Sequence, residues 1–273
     1  LINEVAIWNT SLDADAVTAL YGSGTPLLPT SDSGNYDNSS ALQGYWRNDG
    51  NTTWTDRSTN SKNGTASGSP VSIVIPEGKT GRDNQGFLLS NTHQNSLRLY
   101  EGEYVQVDDS AVLQNIFDGG GSVEAWIYAE DWGESDAGRI ISKCGSGNSN
   151  GWQLLIASSG VLQFLVDWST TDYNKTGGTI SLNRWHHVAV TYDSTTAGVD
   201  AVLYIDGSSV TISGTGSAGS VVSDSGQKIR IGARGTGLDR EFDGLVDEVR
   251  LYDKILSASE VLKNYNSGKS SHS

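Results

Sequence analysis

Ten short runs of β-branched and aromatic residues, each ending near Gly, Asn, Asp or Ser, most constrain how this chain can fold. Few stretches carry the apolar spacing of a helix. About ten short strands joined by tight turns predict an all-β, two-sheet antiparallel sandwich. The dipeptides Ser159-Gly160 and Asp206-Gly207 are hairpin signals between successive runs. The runs are 42–46, 103–107, 122–128, 139–143, 152–158, 161–166, 185–192, 201–206, 209–212 and 228–233.

The composition limits which classes of molecule this protein is expected to bind. The chain has 273 residues, enough to bury a substantial core, and a formal net charge of −14. Such an acidic chain is a poor partner for a nucleic-acid backbone, and no apolar run is long enough to predict membrane insertion. The single cysteine, Cys144, excludes an intrachain disulfide. The excess of carboxylates leaves oxygen ligands available for a hard cation such as calcium.

The chain carries an internal repeat. Residues 2–24 align without a gap with residues 246–268, and each copy has the pattern of a strand followed by a short helix. A strand and one helix cannot bury their own apolar face, so each copy should close a larger unit. We therefore expect residues 1–24 to be the closing strand and helix of a preceding repeat of the same domain. The remaining predicted divisions are a linker at 25–40, one domain at 41–268 and a tail at 269–273.

Five segments, in order, resemble the laminin G-like domain of the concanavalin A-like lectin/glucanase superfamily: 42–65, 123–128, 184–193, 202–207 and 243–261. The resemblance covers roughly residues 42–268. It implies a concanavalin A-like jelly-roll sandwich with a short C-terminal helix, and adhesion or glycan recognition, often with bound calcium. Residues 75–104 form a longer link into the second strand than is usual in the family. Their sequence resembles laminin G-like segments of marine phage structural proteins, which implies an extracellular location on a virion or a bacterial cell surface.

The sequence offers no catalytic residues. Glucanases of this superfamily carry E-x-D-x-x-E, three carboxylates on one strand face, and that spacing is absent here. Strand alternation places the neighbours Asp247 and Glu248 on opposite faces. We predict a non-catalytic binding and adhesion module of a virion or cell-surface structural protein, not an enzyme.

Its predicted partner is a glycan or a protein on a cell surface. Two other functions stay open. One is a purely architectural spacer or decoration domain that contacts a neighbouring repeat or subunit, including a homo-oligomer; the other is a glycoside hydrolase of the same superfamily.

Three aromatic residues are candidates for ligand contact. Trp132, Trp168 and Tyr173 stand at strand ends beside Gly, Ser, Thr and Asp. Rings beside short polar side chains suit sugars, whose C–H faces stack on aromatic rings while their hydroxyls bond to carboxylates and amides. Edge packing between repeats would use the same residues, and the sequence leaves both options open.

Asp247 is the candidate metal ligand. Alternation along 245–251 places it on the apolar face with Val249, where an ionised carboxylate needs donors or a cation. The turn 55–63 is dense in oxygens, so we predict a calcium site in which Asp247 joins three ligands of that turn, with bonds to amides or to Arg57 as the alternative. The three turn ligands are Asp56, Asn60 and Asn63.

Overall fold

The protein is a sandwich of two large antiparallel sheets, as seen in a computed structural model. The structure describes residues 42–46, 53–56, 58, 61–67, 71–74, 81–82, 88–89, 95–100, 102–146, 149–195, 201–235, 239–269 and 271–272.

The described elements are nineteen strands and one α-helix. They are β1 (Leu42–Trp46), β2 (Thr53–Trp54), β3 (Gly64–Ser67), β4 (Val71–Val74), β5 (Gly81–Arg82), β6 (Leu88–Leu89), β7 (Asn95–Leu99), β8 (Tyr104–Val107), β9 (Gly121–Ala129), β10 (Arg139–Lys143), β11 (Trp152–Ala157), β12 (Val161–Val166), β13 (Tyr173–Thr179), β14 (Trp185–Tyr192), β15 (Val202–Ile205), β16 (Ser208–Ser209), β17 (Ile212–Thr215), β18 (Ile229–Ile231), β19 (Gly244–Tyr252) and α1 (Ala258–Lys269).

The two sheets enclose one hydrophobic core. The eight-stranded sheet has the order β16-β15-β14-β9-β19-β7-β4, with β1 also paired to β19, and the nine-stranded sheet has the order β17-β13-β12-β11-β10-β18-β8-β3-β2. Strands β5 and β6 form a separate small pair. Edge-to-face rings fill the centre of the core, where the centroid of Phe117 lies 5.3 Å from that of Trp152 and 5.1 Å from that of Phe164. The predicted two-sheet sandwich with a short C-terminal helix is confirmed.

Most predicted strands occur where the apolar pattern places them. The hairpin signals are also confirmed, because Ser159 and Asp206 both adopt positive φ and the glycine after each does too. Strands β2 to β7 and β13 lie outside the predicted runs. Strand β13 reads Tyr-Asn-Lys-Thr-Gly-Gly-Thr and β7 lies within the segment 75–104, so neither has an apolar alternation to mark it.

A β-bulge in β19 changes which side chains share a face. The pairing of β19 with β9 shifts register between Asp247 and Arg250, and Glu248 has a φ of 48°. The extra residue reverses the alternation, so Val249 and Leu251 enter the core while Asp247 lies on the opposite, outer face. The expectation that Asp247 shares a face with Val249 is therefore wrong.

Helix α1 covers that outer face. It begins with a capping box, in which the Glu260 amide donates to Ser257 Oγ at 3.3 Å and the Ser257 amide donates to Glu260 Oε2 at 2.6 Å. The helix runs to Lys269 and includes Gly268. Within the expected tail 269–273, His272 is buried and stacks on Trp126 with ring centroids 4.1 Å apart. The expected preceding repeat (1–24) and linker (25–40) lie outside the described residues.

Candidate functional site

The structure places the three predicted aromatic ligands at opposite ends of the sandwich. Trp132 packs over Gly160, just before β12 begins, whereas Trp168 follows the end of β12. Strand β12 rises about 3.3 Å per residue, so its two ends are separated by roughly 17 Å. Tyr173 lies at the Trp168 end, since it pairs with Val166. The three rings therefore do not form one platform.

Two of the three rings are also core residues. Trp168 is 4% exposed and Tyr173 is 0% exposed, and the Tyr173 hydroxyl accepts a hydrogen bond from the Ala201 amide at 2.6 Å. The Tyr173 ring stacks on Tyr192 with centroids 4.6 Å apart. A ring that is closed off on both faces has none left for a sugar, so the packing role describes Tyr173 better. Trp132 is only half-buried.

The predicted calcium ligands are not brought together. Asp56 forms a bridge with Trp46, which pairs with Val249 on the core side of the sheet, while Asp247 lies on the outer side. The Asp56 carboxylate accepts hydrogen bonds from the Ser58 amide, the Ser58 hydroxyl and the Lys62 amide at 2.8–2.9 Å. The predicted ligand Asn63 accepts a hydrogen bond from the Asp56 amide through its Oδ1, at 3.0 Å. The predicted ligand Asn60 lies outside the described residues.

Two backbone amides and one hydroxyl thus donate to the Asp56 carboxylate. Across the described part of the chain, no three His, Cys, Asp or Glu side chains are grouped closely enough to hold a metal ion. The three described ligands of the predicted site do not converge, and calcium binding by this protein stays a prediction.

Asp247 instead belongs to a polar contact between the sheet and the C-terminal segment. Its Oδ1 accepts from the Glu248 amide at 2.7 Å, and its Oδ2 lies 3.5 Å from His272 Nε2. Beside it, Arg250 donates to Glu124 Oε1 at 2.7 Å and to Glu248 Oε2 at 2.5 Å. Arg250 compensates part of the negative charge of Glu124 and Glu248 under α1, and Asp247 has the Glu248 amide and the His272 ring as described neighbours in place of a cation.

One rim of the sandwich, within the described residues, contains a small recess. We call it the Asp224 rim, and it comprises the loops 108–120, 167–172 and 216–228. These loops meet because six neighbouring strands of the sheet each have one end there, namely β8, β18, β10, β11, β12 and β13. The recess is shallow: its enclosed volume is about 20 Å³, and about 270 Å³ when the part open to solvent is counted. Its lining is Asn115, Phe117, Asp118, Gly151, Trp152, Val166, Ser194, Val221, Val222 and Asp224.

Asp224 organises the floor of this recess. Its Oδ1 accepts from Lys143 Nζ at 2.8 Å and from the Asn115 amide at 2.8 Å, and its Oδ2 accepts from Trp152 Nε1 at 3.1 Å. Lys143 is fully buried and also lies 3.0 Å from Asp109 Oδ1. Burial raises the pKa of Asp224, although the Lys143 charge acts in the opposite direction. The floor is therefore rigid and its donors and acceptors are fixed in place.

The mouth of the Asp224 rim carries further acidic groups. Asp118 and Asp172 are exposed, and Asp167 is half-buried. Burial raises the pKa of Asp167, and its hydrogen bond with Asp172 adds to that effect. Carboxylates beside an apolar wall can accept hydrogen bonds from the hydroxyls of a neutral sugar, while they repel an anionic ligand.

No motif in the sequence marks this recess. Asn115, Asp118 and Asp224 stand in separate loops without a characteristic spacing, and Trp152 was assigned to a strand. The only available signal is their place in loops dense in Asp, Asn and Ser at strand ends, which many loops of this chain share.

A second pair of carboxyl groups lies at the opposite rim. Glu241 is buried and hydrogen-bonds to Glu134; burial first, and then this contact, raise the pKa of Glu241 to about 7. A retaining glycosidase needs its two carboxyl groups about 5–5.5 Å apart, and an inverting enzyme needs them farther apart to admit water. Two carboxyl groups in direct hydrogen-bond contact do not meet either spacing.

The fold and its pattern define a lectin-like sandwich, and comparison with family models agrees. Residues 99–262, more than half of the chain, match a laminin G model described as the concanavalin A-like lectin/glucanases superfamily. The chain belongs to this superfamily. A comparison with curated proteins found no match. No helix in the described ranges is long and apolar enough to span a membrane.

Several solved structures share the fold. The binding domain of Paraclostridial Mosquitocidal Protein 1 has a TM-score of 0.60 at 16% identity, over 84% of this chain and 52% of that one. Domain 4 of an extracellular arabinanase from Geobacillus stearothermophilus, solved with arabinotriose, has a TM-score of 0.55 at 18% identity, over 82% and 98%. The binding domain of Botulinum Neurotoxin DC, solved with SialylT, has a TM-score of 0.57 at 15% identity, over 83% and 51%.

The chain thus spans about half the length of the toxin binding domains that it matches. At these identities the likeness shows the fold alone.

Proposed function

We propose that this protein is a non-catalytic binding and adhesion module of an extracellular structural protein, carried on a virion or a bacterial cell surface, that recognises a glycan. The observation that carries the proposal is the recess of the Asp224 rim. The buried rings of Phe117 and Trp152 and the polar residues Asn115, Ser194 and Asp118 are among its lining. Apolar walls with a few convergent polar groups are the usual composition of a sugar site.

The superfamily and its structural neighbours support this proposal. The arabinanase domain was solved with arabinotriose, and a toxin binding domain was solved with SialylT. Another neighbouring toxin binding domain was solved with rat synaptotagmin II, so a protein partner is the second candidate. A glycoside hydrolase is disfavoured, because E-x-D-x-x-E is absent and the Glu134–Glu241 pair is too close for either mechanism.

The test is a glycan array followed by titration of the best neutral oligosaccharide against two matched variants. Val222 lines the recess, so Val222→Trp fills it and should weaken binding by about tenfold or more, which corresponds to about 1.4 kcal/mol. Val202→Trp makes the same substitution at an exposed position of β15 and should bind like the wild type.

Each remaining outcome has a definite meaning. Equal binding by both variants would move the glycan site away from the Asp224 rim. Absence of any glycan on the array would favour a protein partner or an architectural spacer, and a pull-down with cell-surface protein would separate these two. Release of reducing sugar from any polysaccharide, abolished by Glu241→Gln, would establish a hydrolase.

A further inference from the structure

A polar row of side chains crosses the outer face of the nine-stranded sheet. In adjacent strands Arg230 pairs with Gln106 on one side and with Ser142 on the other, and Ser142 pairs with Gln153. Since the neighbours Ile229 and Ile231 point into the core, this row points away from it. No Asp or Glu stands in the row, although the chain has a net charge of −14. In register order its members are Thr65, Gln106, Arg230, Ser142, Gln153, Leu165, Asn174 and Thr215.

Arg230 is the unusual member of this row. The residue is 6% exposed, and only its Nη2 donates a hydrogen bond, to Gln106 Oε1 at 3.2 Å. Its Nε and Nη1 are buried and have no hydrogen-bond partner among the residues that the structure describes. One face of the guanidinium is covered by the Tyr104 ring, whose centroid is 5.9 Å from Cζ. A buried guanidinium with unused donors carries a desolvation cost that the protein itself does not offset.

A second buried guanidinium lies on the adjacent strand β10, on the same face. Arg139 Nε donates to Gln153 Oε1 at 2.8 Å, and its Nη1 donates to the Ala137 carbonyl at 2.6 Å. Burial, followed by the positive fields of Arg234 and Arg240, lowers the pKa of Arg139 to about 10. Arg139 pairs with Leu155, two residues along β11 from Gln153, so it lies beside the row, roughly 10 Å from Arg230. Positive charge is thus concentrated on this face.

The charge of the neighbouring Arg234, in contrast to that of Arg230, is compensated by a carboxylate. It bonds to the Asp239 carboxylate through both Nε and Nη2. This pairing lowers the pKa of Asp239 and raises that of Arg234. At Arg230, by contrast, burial lowers the pKa of the guanidinium. No carboxylate in the row pairs with Arg230 as Asp239 pairs with Arg234.

We propose that Arg230 is the centre of an oxyanion site, which binds a sulfate or carboxylate group through its two unpaired N–H groups, with Arg139 adding to the favourable potential. Charge-assisted bonds from a guanidinium to such a group are the strong class of hydrogen bond, and they would offset the desolvation already present. Tyr104 is half-buried and is the side chain that turns aside to admit the group. The site lies on a sheet face rather than in the Asp224 rim, so the inference is independent of the proposed function.

The oxyanion has two sources, a free inorganic ion or a group carried on an acidic saccharide, and the experiment separates them. Thermal melts are recorded for the wild type in sodium sulfate, galactose 6-sulfate and galactose, each against sodium chloride at equal ionic strength. Binding to the folded state raises the melting temperature and saturates with concentration. General exclusion of sulfate from protein surfaces also stabilises, but it does not saturate and does not depend on one residue.

Three variants make the result specific. Arg230→Met removes the charge, and Arg230→Lys keeps the charge but loses the planar donors. Arg184→Gln removes an arginine whose side chain is 59% exposed and serves as the matched control. We expect saturable shifts in the wild type and in Arg184→Gln, no shift in Arg230→Met and a weaker one in Arg230→Lys. In chloride alone, Arg230→Met should melt at or above the wild-type temperature, because it removes an uncompensated buried charge.

A lower half-saturation concentration for galactose 6-sulfate than for sulfate assigns the site to a saccharide, and equal values assign it to the free ion. Identical shifts in the wild type and in both Arg230 variants would overturn the proposal. So would a wild type that responds to sulfate no more than to chloride. If Arg230→Met does not fold, Arg230→Lys against Arg184→Gln still decides. None of these results depends on whether a neutral glycan binds at the Asp224 rim.

Discussion

Burial and neighbouring charges set the pKa values of individual carboxyl groups in this protein. Glu124 is fully buried between the eight-stranded sheet and α1, where it accepts hydrogen bonds from Arg250 at 2.7 Å and from Asn264 at 2.9 Å. Burial alone would raise its pKa, but the Arg250 charge and His187 lower it to about 2. The contribution of Glu124 to stability is therefore present above its unfolded pKa and is lost only as the pH falls towards about 2.

Glu241 behaves in the opposite way and gives a prediction on pH. Its pKa rises from 4.5 to about 7, so between these values the folded state holds a proton that the unfolded state has lost. The stabilisation is complete below about pH 4.5 and is lost as the pH rises through 7. We expect the wild type to lose melting temperature between pH 5 and pH 8 more steeply than Glu241→Gln, by a few degrees for a chain of this size.

The control for this experiment is Glu103→Gln, which changes a half-buried carboxyl at the same end of the sandwich. It should keep the wild-type slope. Parallel pH profiles for the wild type and Glu241→Gln would show that Glu241 titrates near its ordinary value.

At the level of the elements, close approach of α1 to the sheet holds the C-terminal segment in place. Gly268 lies directly on the Trp126 indole, and Tyr265 stacks on the same ring with centroids 5.6 Å apart. A short helix is not stable in isolation, so α1 depends on this contact. The bulge of β19 serves the same contact, because it turns Asp247 towards His272.

The Gly268 contact gives a prediction on stability. A Cβ at position 268 would lie 2.3 Å from Trp126 Nε1, so Gly268→Ala forces the helix or the ring to move. We expect a loss of about 1–3 kcal/mol in the free energy of unfolding, measured by urea denaturation. Gly216→Ala is the matched control, since a Cβ there meets no atom within 4 Å. Equal stability of the two variants would mean that α1 is not held by this approach.

In the whole molecule, the two charged regions lie in different places. Acidic groups gather at the mouth of the Asp224 rim, and arginines gather on the outer face of the nine-stranded sheet. A chain with a net charge of −14 thus presents one surface suited to neutral hydroxyls and one suited to an oxyanion.

The division of the chain into domains also gives a prediction. Residues 1–24 repeat residues 246–268 and are separated from the rest by the polar segment 25–40, so they should not contribute to the sandwich core. Deletion of residues 1–38 should leave a soluble domain that unfolds in one cooperative transition, as followed by circular dichroism. An unfolded product, with the full chain stable under the same conditions, would make the N-terminal strand a part of the sandwich.

The sequence by itself determined the sandwich, most of its strands and the capped C-terminal helix. These features follow from local rules: alternation marks strands such as β12 and β14, positive φ requires Asp206-Gly207 at a turn, and Ser257 with Glu260 starts α1. Only the tertiary structure decided the sites. One inserted residue at Glu248 reversed the face of Asp247, and the strand order separated Trp132 from Trp168.

The recess around Asp224 and the row around Arg230 join residues that are far apart in the chain, such as Asn115 with Asp224 and Gln106 with Arg230. Local patterns report periodicity and caps, whereas such partners are set by the strand order and the register. A polar residue becomes a site only when its burial and its neighbours leave hydrogen-bonding capacity for a ligand, and both are properties of the packed molecule.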